Sequence, residues 1–184
     1  MKYTVTTAFL PANDYLVIKG FIELGGNTPD SYEEGERQFI ELLNNGSIDR
    51  LKKVSGSKDV YTLFCHTCVL DEQTGGYICG NDVACENINN VQAGDGFDVI
   101  HLEPSEYAIF DYSFGDGMSK VQASKKIDDI YWGEWLKNNP YESMIETTTG
   151  ANTPGIAVIG MVEPLVLGVE NFRGKIWYPI RRKE

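Results

Sequence analysis

The sequence predicts a single α+β domain, residues 1–184, in which an antiparallel sheet carries two helices on one face. Three observations lead to this prediction. The length of 184 residues is enough for one domain but not for a multidomain assembly. The chain contains a weak internal repeat with an offset of half its length. In each half, a strand pattern precedes a helical pattern and two further strand patterns.

The repeat is centred on residues 10–18, which match residues 102–110. The two segments share a leucine, an acidic residue before a tyrosine, and a β-branched residue two places after that tyrosine. We therefore divide the chain into halves of about residues 1–92 and 93–184, joined by the polar, glycine-containing segment 87–96. That segment is short enough to be a loop inside one compact unit.

The helical patterns have recognisable ends. Ser31 with Glu34 forms a capping-box pattern at the start of the first helix, and residues 44–46 (Asn-Asn-Gly) end it. The second helix begins near Ser119 and ends at residues 138–140 (Asn-Asn-Pro). Its apolar positions recur at mixed three- and four-residue steps. They are Val121, Ile127, Ile130, Tyr131 and Trp135.

The remaining strand patterns cover residues 60–69, 77–83, 156–162 and 175–180. Alternation along the last of these places Ile176, Tyr178 and Ile180 on one face of the sheet and Trp177 on the other.

The net charge of the chain argues against some classes of binding partner. The chain has 16 Lys and Arg against 27 Asp and Glu, a formal net charge of −11. A charge of this sign repels phosphate backbones and anionic membrane surfaces and attracts cations. We therefore expect no direct nucleic-acid binding and no membrane association. Because the first seven residues lack the apolar region of a secretory signal, we also expect a cytoplasmic protein.

The four cysteines do not form a metal-binding pattern. Cys65 and Cys68 lie within one strand pattern, where they would face opposite sides of the sheet, and Cys79 and Cys85 are too widely spaced for a zinc ribbon. We expect all four to be thiols, as is usual in the cytoplasm, and we expect no metal and no cofactor. Neither His66 nor His101 lies in a recognisable catalytic motif.

Glu163 is unusual because it interrupts the apolar residues 156–167. A buried carboxylate must take up a proton or find a cationic partner, and a bound organic cation would serve. Alternatively, Pro164 marks the end of the strand and Glu163 reaches solvent there.

Aromatic residues make up 11% of the chain, and two groups of them stand out. Tyr131, Trp132 and Trp135 lie on the second helix, whereas Trp177 and Tyr178 lie on the last strand. Such rings either fill the core of a thinly covered sheet or line a pocket that attracts flat hydrophobic ligands and cations.

Residues 102–110, Trp135-Leu136, Tyr141-Glu142 and residues 176–180 together resemble the GyrI-like small-molecule-binding domain. This module also forms the effector-binding part of AraC-type and MerR-type multidrug-responsive regulators. The resemblance covers nearly the whole chain, since the family is built from two related strand–helix–strand–strand halves.

The resemblance implies a pocket glutamate on the strand before the final one. Glu163 is the best match, because it lies 13 residues before Ile176, and Tyr178 falls where an aromatic pocket residue is expected. Leu165 stands where the family often has a tyrosine, and Glu146 is a competing assignment for the pocket carboxylate.

The implied ligand groove lies between the two helices and over the sheet. Glu163 would supply its charge. The wall residues that we predict are Tyr178, Trp135 and Tyr131 from the second half, and Phe64 and Tyr77, by repeat symmetry, from the first.

The function that this resemblance implies is binding of hydrophobic, preferably cationic, small molecules, in a stand-alone version of the effector module without a DNA-binding region. One alternative is a hydrolase of cyclopropane-containing natural products, in which Glu163 would activate water. Another is a protein that binds and inhibits a larger enzyme through its acidic surface.

Overall fold

The computed structural model of the chain describes residues 1–25, 31–115, 117–145, 155–163 and 172–184, with only the backbone of Val162 and Glu163. It is an α+β protein built on one large antiparallel sheet. The ten strands are β1 (Lys2–Leu10), β2 (Asn13–Ile18), β3 (Phe21–Leu24), β4 (Tyr61–Leu70), β5 (Tyr77–Glu86), β6 (Asp98–Leu102), β7 (Ser105–Phe114), β8 (Tyr141–Ser143), β9 (Val158–Glu163) and β10 (Phe172–Arg182).

Two helical regions lie where the sequence predicted them, one starting at Ser31 and one just after Ser119. In the described ranges the helices are α1 (Ser31–Asn44), α2 (Ser47–Ser55), α3 (Lys120–Ile130), a π-helical turn (Tyr131–Trp135) and the short α4 (Leu136–Asn138). The π turn accommodates one extra residue per turn. None of the helices in these ranges combines the length and apolarity needed to cross a lipid bilayer.

The main sheet runs in the order β1-β7-β10-β9-β4-β5-β2-β6, while β3 pairs with β5 and β8 pairs with β10. Strand β1 pairs with β7 along its whole length, from Lys2 opposite Ser113 to Leu10 opposite Ser105. Strand β6 pairs with β2 at the other end. The first strand of each half therefore lies beside a strand of the other half, so the halves share a continuous sheet.

The core follows the alternation of the strands. Ile176, Tyr178 and Ile180 lie in one buried cluster under α3, whereas Trp177 packs against a different cluster that contains Leu63 and Tyr107. Beneath α1 and α2, a third cluster holds Ile48 and Leu51 of α2.

Helix α2 was not predicted from the sequence, and it is amphipathic. Leu51 is fully buried, although two lysines follow it directly. The helix presents Ile48 and Leu51 to the core, since they are three residues apart on one helical face, and leaves Lys53 exposed.

Candidate functional site

A cavity of about 470 Å³ lies between α1 and α3 and above the strands β4, β9 and β10. This volume is within the range of small-molecule sites. Seven aromatic side chains belong to its described wall: Tyr32, Phe39, Tyr61, Phe64, Tyr112, Trp132 and Tyr178. Aliphatic residues such as Ile40, Leu43 and Ile176 complete an apolar surface.

Three charged side chains reach the described part of this cavity wall: Glu36 on α1, and Lys120 and Asp128 on α3. Lys120 is half-buried, with its Nζ 4.9 Å from the centre of the Phe172 ring. Burial lowers the pKa of Lys120, and the nearby Glu36 carboxylate opposes that shift. With both carboxylates ionised, these side chains leave the wall with net negative charge.

Asp128 is a carboxylate in the wall of the cavity. Its Oδ1 accepts a hydrogen bond from the Tyr178 hydroxyl. Burial raises the pKa of Asp128 to about 6; the Tyr178 hydrogen bond acts in the opposite direction and Asp129 adds to the increase. Asp128 therefore changes charge just below neutral pH, in apolar surroundings where charge is felt most strongly.

Tyr178 is fixed from two sides. Its ring stacks on Tyr131, with centroids 3.9 Å apart and planes at 11°, and meets Phe110 edge-on at 5.5 Å. Burial raises the pKa of Tyr178 well above its ordinary value, as does the Asp128 charge. The phenol stays protonated and donates to Asp128, which holds the carboxylate in place at the cavity wall.

The sequence contains a signal for Asp128 that our sequence analysis missed. Lys120, Ser124, Asp128 and Trp132 are spaced by four residues, so they form one stripe along α3 and the π turn, and all four line the cavity. Beside this stripe, Ala123 and Ile127 are buried in the core. In the sequence, a polar stripe next to an apolar face is typical of the solvent-exposed side of an amphipathic helix, so it did not single out Asp128.

The structure brings only some of the predicted wall residues to the cavity. Tyr178 and Phe64 line it. Tyr131 and Trp135 are not among its described lining residues; both pack in the cluster around Phe110. Tyr77 packs instead against a small cluster that includes Cys65 and Cys79. Whether any of these residues contacts a ligand stays a prediction.

The sequence predicted two glutamates as candidates for the pocket carboxylate. The backbone of Glu163 ends β9, opposite Arg173 of β10, and its side chain lies outside the described residues. Glu146 also lies outside them. The assignment of either as a pocket carboxylate stays a prediction.

The cysteines correct the expectation of four thiols. Cys68 and Cys79 face each other across β4 and β5, with Cα atoms 4.1 Å apart, and form a disulfide. The register of these strands shifts between Phe64 and Cys68, and Cys65 has a φ of 58°. This irregularity breaks the strict alternation, so Cys65 and Cys68 do not point to opposite sides. The Sγ atoms of Cys65, Cys68 and Cys79 all lie within 4.8 Å of one another.

Comparison with known proteins identifies the fold. No family model matches the chain, and a search of curated proteins found no match. Among solved structures, SAV2435 bound to tetraphenylphosphonium is similar with a TM-score of 0.59 and 14% identity, over 98% of this chain and 94% of that chain. A putative bacterial transcription regulation protein from Staphylococcus aureus MU50 is similar with a TM-score of 0.57 and 14% identity, over 98% of this chain and 99% of the other.

The C-terminal domain of EcmrR is a third neighbour, with a TM-score of 0.51 and 10% identity over the full length of both chains. At these identities, the likeness shows a shared fold. The neighbours are consistent with a GyrI-like effector-binding fold.

Proposed function

We propose that this chain binds hydrophobic organic cations in the cavity between α1 and α3, as a member of the GyrI-like family. The observation that carries the proposal is the position of Asp128, a carboxylate held by Tyr178 in a largely apolar cavity with seven aromatic rings in its described wall. Aromatic faces attract cations and flat apolar groups, and a carboxylate in apolar surroundings adds charge selectivity. The solved neighbour SAV2435 was captured with tetraphenylphosphonium, which is a ligand of this kind.

The sheet order supports the two-half interpretation of the family. Counted from opposite ends of the sheet, β1 corresponds to β6, β7 to β2, β10 to β5 and β9 to β4. In this interpretation, α1 and α3 are corresponding helices and the ligand lies between the halves. A ligand in that position contacts both, which suits a protein that senses or sequesters its ligand.

The first test is the affinity for tetraphenylphosphonium, measured by calorimetry with native protein and with Asp128→Asn. We expect Asp128→Asn to bind about tenfold more weakly, which corresponds to a loss of about 1.4 kcal/mol of charge–cation attraction. The matched control is Asp129→Asn, the same change on the exposed neighbouring residue, which should bind like the native protein. Equal affinities of the native protein and Asp128→Asn would refute the proposed role of Asp128.

The pH dependence gives an independent test of the same role. Because the pKa of Asp128 is about 6, affinity for the cation should rise between pH 5 and pH 7 and level off above. Neutral triphenylphosphine oxide should show no such rise. A parallel measurement on Glu163→Gln tests the pocket glutamate implied by the family resemblance.

Hydrolysis is the second candidate, because a carboxylate with a raised pKa in an apolar cavity is also suited to general acid–base chemistry. The two functions differ in the fate of the ligand. Recovery of a strained cyclopropane substrate unchanged after long incubation would count against catalysis, whereas a product one water heavier, absent with Asp128→Asn, would establish it.

A further inference from the structure

We propose that the reduced protein binds trivalent arsenic through three cysteine thiolates, at a site formed by Cys65, Cys68 and Cys79 beside the ligand cavity. Strand irregularity brings the third sulfur to the disulfide pair, so that all three Sγ atoms lie within 4.8 Å of one another. Small shifts of the three side chains allow one atom to bond to all three sulfurs.

The surroundings of the three sulfurs are apolar. Cys65, Cys79, Ile145 and Ile156 form one buried cluster, and partly buried Leu24, Phe64, Tyr77, Met144 and Val158 pack against it. The site therefore disfavours charge.

Because the site disfavours charge, the net charge of the complex decides which thiol-binding element it favours. Three thiolates carry three negative charges, so a monovalent copper ion would leave a buried complex of charge −2, and a zinc ion one of charge −1. Such charges are costly without a cationic partner, and the chain's net charge of −11 adds to the cost. Trivalent arsenic instead gives a neutral, three-coordinate product, which needs no counterion and no fourth ligand.

The reaction balances without any change in the oxidation state of arsenic. Arsenous acid exchanges its three hydroxyl groups for three thiols: three As–O bonds break, three As–S bonds form, and each thiol proton leaves in a water molecule. The Cys68–Cys79 disulfide must first be reduced. A water-soluble trialkylphosphine does this, becoming the phosphine oxide with oxygen from water and delivering one hydrogen to each sulfur.

Access to the site runs through the ligand cavity, because Cys65 is one of its lining residues whereas Cys79 is fully buried. Cys85, the other free cysteine, is buried in the cluster beneath α1 and α2. It therefore provides a control for non-specific reaction with a buried thiol.

The test uses the full chain, reduced with the phosphine and freed of it, then titrated with arsenite. We expect one arsenic atom per chain by native mass spectrometry, with the loss of three hydrogens, and a thiolate-to-arsenic absorption band in the ultraviolet. Cys85→Ala should behave like the native protein. Cys65→Ala should bind arsenite about 100-fold more weakly, because one of three linked bonds is lost.

Phenylarsine oxide keeps this test interpretable if a variant is damaged. Its arsenic can bond to only two thiols, so Cys65→Ala, which keeps Cys68 and Cys79, should still bind it if the variant is folded and reduced. Equal arsenite affinity of Cys65→Ala and native protein would overturn the proposal. So would binding of zinc in preference to arsenite, or reduced protein that takes up no arsenic.

Discussion

At the residue scale, Asp128 makes the stability of the protein depend on pH in an unusual direction. Its pKa rises from 3.8 to about 6 on folding, so the folded state binds this proton more tightly than the unfolded state does. The contribution of Asp128 to stability is therefore greatest at low pH and is lost as pH rises from about 4 to about 6. The loss is at most about 3 kcal/mol, since each pKa unit corresponds to about 1.4 kcal/mol.

Urea unfolding of native protein and Asp128→Asn between pH 4 and pH 7 measures this contribution. We expect the variant to gain stability relative to the native protein as pH rises, because asparagine carries no charge to be buried. Other carboxylates titrate in both proteins and cancel in the difference. A difference that stays constant with pH would show that Asp128 has an ordinary pKa.

Gly174 on β10 is a second residue on which the cavity wall depends. A Cβ added there would lie 2.5 Å from Cζ of Tyr112, whose ring is 2% exposed and lines the cavity. Gly174→Ala should lower the free energy of unfolding by about 1–3 kcal/mol, as overpacking of a closed core does. Gly133 has nothing within 4 Å of its virtual Cβ, so Gly133→Ala should unfold at the same urea concentration or slightly above it. A stable Gly174→Ala would show that the Tyr112 ring can move.

At the element scale, a capping box stabilises the start of α3, the helix that carries Asp128. The Ser119 hydroxyl accepts from the Gln122 N–H, and the Gln122 side chain accepts from the Ser119 N–H. Ser119→Ala should cost about 1 kcal/mol in urea unfolding, which is typical of a lost N-cap. Helix α2 starts without a side-chain cap, so Ser47→Ala is a matched control and should cost less. Equal costs would mean that the Ser119 cap contributes nothing.

Local patterns predicted the elements that have clear ends and periods. The Asn-Asn-Gly stop of α1 and the Ser119 start of α3 are where capping and turn chemistry place them. Strand β1 was not predicted, because most of its residues are exposed and it shows no clean alternation. Helix α2 was missed because its nine residues are too few for a clear period, although Ile48, Leu51 and Val54 pack into one cluster.

At the scale of the whole molecule, the candidate site depends on contacts that no local pattern contains. Asp128 meets Tyr178 across a separation of 50 residues. The third sulfur joins the disulfide only because a register shift interrupts β4. The sequence predicted the correct class of side chains, aromatic rings with a carboxylate, because composition and family resemblance carry that information. It did not single out Asp128, because the position of that residue at the cavity depends on how the helices pack on the sheet.

The net charge of −11 is a property of the whole chain, and it should affect how fast a cation arrives. A negative field raises the local concentration of cations near the cavity, and it extends over about 30 Å at 0.01 M salt but only about 3 Å at 1 M. Short-range contacts inside the cavity are screened much less. Salt should therefore slow association of a cationic ligand far more than it speeds dissociation.

Stopped-flow binding of tetraphenylphosphonium, followed by tryptophan fluorescence, tests this expectation, because Trp132 lines the cavity. We expect the association rate constant to fall about tenfold from low to high salt, in line with electrostatic steering. Triphenylphosphine oxide has similar rings and no charge, so its rate constant should change little, and any general effect of salt on apolar binding appears in both. If both ligands respond to salt equally, the field of the chain does not steer the cation, and Asp128 with its immediate neighbours accounts for any charge selectivity.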